Sequence, residues 1–209
     1  MPDLPFRVPP SQEPAVLAAL DREGKLDRAL EALGPLGGRD VIAIDPGAGQ
    51  VARWSAAGAR VTAVGSILDD DTRRLPAAGA DAVVSPWSGF RGVDPREIAE
   101  ADRLLRPGGR LLVVHDYGRD DLAILRGDQP EYGAWSRRDG PFLTNGFRVR
   151  VVHCFWTFDD LDGARTVLAE AFGDAGRRFA SELKRPRLAW NVAIYHRTRG
   201  GTRAHAGGS

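Results

Sequence analysis

Residues 115–119 read His-Asp-Tyr-Gly-Arg, directly behind the apolar run Leu111–Val114. An imidazole, a carboxylate and a phenol so close together could take up or release a proton on a bound molecule. His115, Asp116 and Tyr117 are therefore the candidate catalytic groups, with Arg119 as a cation to hold the acceptor. A second polar group, Ser85, Trp87 and Ser88, follows the apolar run at 82–84 and offers hydroxyls beside an aromatic wall. A third stretch, "VIAIDPGAGQ" at 41–50, is marked by missing side chains. Gly47 and Gly49 would let backbone amides come close to a ligand and would tolerate positive φ. A helix starting near Gln50 would present unpaired N–H groups there. Asp45 supplies a carboxylate at the strand's end, and Pro46 is expected to hold it in an extended conformation. Each feature also has a plain structural reading. Asp116 would cap the next helix, His115 would be a buried, hydrogen-bonded imidazole, and the glycines would only make a tight turn.

These groups share a position: each closes an apolar run with the length of a buried strand. Strands are expected at 41–44, 60–64, 81–85, 110–114, 147–158 and 187–197. Helices are expected from Ser11 to Leu33 with a break at Gly24, at 50–57, at 95–105 and at 159–183, with shorter turns near 70 and after 120. The first helix carries the stripe Val16, Leu17, Leu20, Leu26, Leu30 and Leu33. "RPGG" at 106–109 ends the helix before it, because Pro107 cannot continue it and the glycines release the chain. Strand alternating with helix implies a parallel, doubly wound sheet. The segment 126–146 is loop-rich, and its Trp135 is a packing residue or part of a lid. The domain boundaries expected are 1–38 for an N-terminal extension and helix, 39–198 for the α/β domain, and 199–209 for a disordered tail.

Composition narrows the partners. The chain has 209 residues with 29 Lys and Arg against 28 Asp and Glu, a formal charge of +1. Such a balance favours neither nucleic acid nor an anionic membrane. Lys25 and Lys184 are the only lysines, which fits a GC-rich genome better than a phosphate-binding surface. A lone Cys154 excludes an internal disulfide and fits a cytoplasmic protein. No apolar stretch is long enough to span a bilayer. His153, Cys154 and His196 fall within strands and read as core and surface residues, not metal ligands. Trp156 and Trp190 read as packing.

Three segments together are similar to class I S-adenosylmethionine-dependent methyltransferases: "VIAIDPGAGQVARWSAAGARVTAVGS", "DTRRLPAAGADAVVS" and "IAEADRLLRPGGRLLVVHDYG". The most specific part is Glu100, Arg103, Leu105, Pro107, Gly108 and Gly109, which resemble the family's helix-to-strand junction. Asp71, Leu75, Pro76 and Asp81 resemble its third loop and fourth strand, and "WTFDDLDGA" with "LAEAFG" its late strand and following helix. The resemblance covers about residues 39–173. It implies an α/β fold with a Rossmann-like doubly wound, mostly parallel sheet and an antiparallel C-terminal strand. The second crossover is shortened, since few residues separate Val64 from Ala80. It further implies S-adenosylmethionine as cofactor, bound by Asp45, Gly47, Gly49, Gly65, Ser66, Asp71 and Ser85. The acceptor would be a small molecule, held by Trp87, Ser88 and Arg119. Three departures from the family pattern stand out. Ala43 occupies the acidic position of the first motif, Asp45 occupies its first glycine, and Val64-Gly65-Ser66 closes the second strand without a carboxylate. The tetrapeptide at 85–88 resembles that of base-modifying amino-methyltransferases but lacks the second proline. The alternative reading is a non-catalytic methyltransferase-like domain that binds a ligand or a partner protein.

Overall fold

The computed structural model describes residues 19–127 and 130–200. Within them the chain alternates as expected: α1 Lys25–Leu33, β1 Asp40–Ile44, α2 Ala48–Ala56, β2 Arg60–Val64, α3 Asp70–Arg73, β3 Ala80–Pro86, α4 Pro95–Leu104 and β4 Leu105–Asp116. Then come α5 Asp121–Arg126, α6 Pro130–Trp135, α7 Pro141–Thr144, β5 Arg148–Thr157, α8 Leu161–Glu182 and β6 Arg187–Thr198. The expected helix residues Ser11–Ala18, with Val16 and Leu17, and most of the tail lie outside the described residues.

The six strands form one sheet in the order β2-β1-β3-β4-β6-β5. β1 is parallel to β2 and β3, and β3 is parallel to β4. β6 runs antiparallel to both β4 and β5. The inner strands are apolar at successive positions because helices cover both faces. In β4, Leu112 and Val114 face one core, while Leu111 and Val113 face the other. β1 divides in the same way, with Val41 and Ala43 on the first face and Ile42 and Ile44 on the second. The crossover from β2 to β3 spans only residues 65–79 and contains the single short helix α3. Among the described residues no strand follows β2 on its outer side, so β2 is the edge of the sheet. The shortening inferred from the sequence thus removes a strand.

Local chemistry fixes the helices. Asp94 accepts from the Arg96 N–H at the start of α4, with Pro95 in the first turn. Asp120 caps α5 by accepting from Ala123, and its second oxygen accepts from the Asn191 N–H of β6. α8 departs from the expected single helix. Gly173 takes φ 58° and ψ −131°, a conformation foreign to a helix, and breaks it in two. A side chain on Gly176 would meet the Leu168 carbonyl, so the two halves pack closely. In α1, Leu26 and Leu30 are buried in the core behind β5 and β6, and Gly24 is the N-cap. β4 begins earlier than expected, taking in "RPGG", with its register to β3 shifted between Ala80 and Ala82. Among the described residues no helix is long and apolar enough to cross a membrane.

Candidate active site

In a sheet wound in this order the chain leaves β1 toward β2, then returns to β3 on the other side. The C-terminal ends of β1 and β3 therefore diverge into a crevice, the usual ligand site of such folds. Asp45 follows β1 directly. Its N–H donates to the Val64 carbonyl at 2.7 Å, and its Oδ2 accepts from Ser88 Oγ at 3.0 Å. One side chain thus spans the crevice from the β1 loop to the β3 loop. The extended conformation expected before Pro46 is not adopted. Asp45 has φ +46°, in the left-handed region. Asp is one of the few L-residues that tolerate this region, and most others would be strained. That geometry explains why Asp45 can stand where the resembling family has glycine.

The glycines behave differently from the expectation of positive φ. Gly47 is the N-cap of α2 at φ −65°, with its N–H donating to Gln50 Oε1, and Gly49 lies inside the helix. Neither backbone demands glycine. A Cβ at Gly47 would meet only Gln50 Oε1 at 3.8 Å, and one at Gly49 only an Arg53 guanidinium nitrogen at 3.6 Å. The protein itself leaves room for side chains at both positions. Their absence bares the first turn of α2 beside Asp45. The Gln50 and Val51 N–H groups donate to the Gly47 carbonyl, and those of Ala48 and Gly49 have no hydrogen-bond partner among the described residues.

At the end of β2, Ser66 is occupied with its own turn. Its Oγ accepts from the Leu68 N–H, and its carbonyl accepts from Thr72 Oγ1 at 2.7 Å. Asp71 is turned to solvent on α3, where it pairs with Arg74. The carboxylate that does reach this strand end is Asp69, which sequence reasoning missed. Its Oδ2 lies 3.1 Å from where a Gly65 Cβ would be, against the backbone that leaves β2. It stands at the N-cap of α3 without capping it. A carboxylate placed four residues past the strand-end glycine leaves no signature in a motif written around the strand end.

The structure separates the candidate catalytic groups at 115–117. Successive strand residues face opposite sides of a sheet. Asp116 faces the core of Trp87 and Trp190. It accepts from both indole N–H groups, at 3.1 and 3.0 Å, and pairs with Arg126, whose side chain is 8% exposed. Burial raises the Asp116 carboxyl above its ordinary range, opposed mainly by the charge of Arg126. Trp87 stacks on Trp190 with centroids 5.4 Å apart. It is therefore a core residue, not the wall of an open pocket, and its φ of +55° marks a strained loop. His115 faces the other way, under Trp135 and Phe142, with ring centroids at 4.8 and 6.1 Å. Burial pushes its pKa down to about 3, helped by the charge of Arg91, so the ring is neutral. The Gly89 backbone accepts a hydrogen bond from the ring, while Nε2 is buried without a partner. Ser85 Oγ is equally buried and unpartnered on this face. Tyr117 is half-buried on the same side, and Arg119 is exposed at 5.7 Å from its ring. Two surface cavities, of about 260 and 300 Å³, lie at the opposite end of the parallel strands, away from all of these groups.

No family model matches the sequence, and no curated protein matches it. Solved structures do. A candidate type II methyltransferase from Anaeromyxobacter dehalogenans is 19% identical, with a TM-score of 0.51 over 84% of this chain and 95% of that one. An S-adenosylmethionine-dependent methyltransferase from Aquifex aeolicus is 15% identical over 90% of this chain and 93% of that one, with a TM-score of 0.46. The chain has the Rossmann-like fold of class I methyltransferases, in a divergent sequence.

Proposed function

We propose that the protein is an S-adenosylmethionine-dependent methyltransferase with a small-molecule acceptor. One observation carries this reading: the bared first turn of α2 opens beside Asp45 at the switch point, where glycine is required neither by the backbone nor by packing. The Ala48 and Gly49 amides of that turn suit the cofactor's carboxylate. Asp45 suits its ammonium group, and Asp69 suits the ribose hydroxyls in place of the carboxylate that Val64-Gly65-Ser66 lacks. When bound, the cofactor supplies an electrophilic methyl group on sulfur. The chain's task is then chiefly to align the acceptor with that methyl and to exclude water. His115, being neutral, offers a lone pair that can accept a hydrogen bond from the acceptor. The near-neutral charge of the chain favours a small molecule over a nucleic acid.

A ligand-binding domain without catalysis is the second reading, favoured by Ser66 being tied into its own turn and Asp71 facing solvent. Titration calorimetry with S-adenosylmethionine and S-adenosylhomocysteine tests the first. Micromolar binding of both is expected. No heat at millimolar ligand overturns the methyltransferase reading and leaves the second.

A further inference from the structure

Among the described residues, three buried polar atoms on the face of the sheet that carries His115 have no hydrogen-bond partner. They are Ser85 Oγ, His115 Nε2 and Tyr195 Oη, on residues that are 0%, 1% and 0% exposed. The register gathers them. Val113 of β4 lies between Ser85 on β3 and Tyr195 on β6, and His115 is the next residue of β4 on the same face. Neighbouring strands are ~4.8 Å apart, so the three groups fall within ~10 Å. Each buried polar group left unsatisfied costs ~1–3 kcal/mol, and a native fold keeps few of them without a reason.

Aromatic rings cover two of the three, while Ser85 Oγ lies by Gly89, near the half-buried Glu97 carboxyl. Phe142 stacks on Tyr195 at 3.8 Å, and Trp135 packs against His115. Apart from those inside the helices, the hydrogen bonds made by residues 133–146 run within the segment or to Phe147, its neighbour in the chain. Among the described residues, segment 133–146 makes no hydrogen bond to the strands beneath it; its rings and Leu143 pack it on the sheet.

We propose that Ser85, His115 and Tyr195 form the acceptor site, and that it takes a flat, uncharged aromatic ring bearing a hydroxyl or amino group. The acceptor role rests on the methyltransferase reading above; the binding site stands on its own geometry. The ring of such a ligand replaces the contacts that Trp135 and Phe142 make with the sheet. Its O–H or N–H donates to His115 Nε2, whose other nitrogen is already engaged with Gly89. The hydroxyls of Ser85 and Tyr195 donate to its heteroatom. The three groups are a neutral imidazole and two hydroxyls, buried without a charge to pair with an ion, which favours an uncharged ligand.

The test uses 2-naphthol and its methyl ether as probes, by calorimetry on the full chain without S-adenosylmethionine. The naphthol is expected to bind at least tenfold more tightly than the ether, which has no proton to donate. Tyr195→Phe and Ser85→Ala are expected to weaken naphthol binding at least fivefold. Their melting temperatures without ligand should be unchanged or higher, since each removes an unsatisfied polar atom. Equal binding of the two probes, or none, overturns the proposal. So does a fall in melting temperature for both variants, which would mean that the hydroxyls are satisfied in the free protein. Naphthol binding without any binding of S-adenosylmethionine keeps this site and rejects the methyl-transfer reading.

Discussion

Burial of His115 makes the fold sensitive to mild acid. The ring has an ordinary pKa of 6.5, and the fold holds it at about 3. A base with a depressed folded pKa contributes stability that is present above the unfolded value and lost as pH falls toward the folded one. The window is therefore pH 6.5 to 3. Over all of it the loss is ~5 kcal/mol, at ~1.4 kcal/mol per unit. Between pH 8 and pH 5 it is already ~2 kcal/mol by the same relation. Asp116 and Asp120 work in the opposite direction, since burial raises both and acid favours their folded forms. His196 works in the same direction as His115, but it is only partly buried. Comparing the wild type with His115→Phe isolates the one ring, because phenylalanine suits a site walled by Trp135 and Phe142. Urea unfolding at pH 8 and pH 5 is the assay. The variant should gain ~2 kcal/mol on the wild type as the pH is lowered. Parallel stability profiles for the two proteins would refute the argument, because the ring would then be taking up its proton without unfolding.

Three further outcomes are expected. Asp116→Ala should cost ~3–5 kcal/mol in urea unfolding, because Arg126 and two indole N–H groups are left without their acceptor. Gly49→Val should abolish S-adenosylmethionine binding in calorimetry without lowering the melting temperature, since valine suits a helix better than glycine. Asp45→Asn should weaken that binding by one to two decades, for an ionic hydrogen bond of ~1.5–3 kcal/mol. Its melting temperature should stay close to the wild type's, because asparagine also tolerates the left-handed backbone.

The fold was legible because each strand is an apolar run and each run ends in a turn or a cap. "VIAI" and "RVTAV" give their strands almost to the residue, whereas "RLLVV" marks only the middle of β4, which also takes in "RPGG". The site was legible only in outline. Asp45 and Ser88 were both singled out, but not that one bonds the other across the crevice. His115 and Asp116 were read as one cluster from their adjacency, though the period of two already assigns adjacent strand residues to opposite faces. Tyr195 was missed for a different reason. It sits in an apolar strand far along the chain, and only the antiparallel pairing of β6 with β4 brings it beside Val113. Asp69 escaped because its role depends on the turn made by Gly65 and Ser66, which no spacing rule encodes.

The two faces at the end of β4 differ in how their polar groups are held. On one, every oxygen of Asp116 is engaged by an indole or by Arg126, and Trp87 and Trp190 seal the arrangement. Both carboxylate oxygens are satisfied, though Arg126 Nε is buried without a hydrogen-bond partner among the described residues, and removing either member of the pair is costly. That pair also fixes the start of the chain's path over the sheet, since Arg126 closes α5 and reaches Tyr132 of the next helix. On the other face, one residue away, Ser85 Oγ, His115 Nε2 and Tyr195 Oη have no hydrogen-bond partner among the described residues, and the last two lie by the rings of Trp135 and Phe142. Polar groups that the fold does not satisfy are stability given up locally, and such losses concentrate where a ligand binds. Asp116 and Asp120 tie the end of β4 to β6 by hydrogen bonds that do not involve the cover over His115.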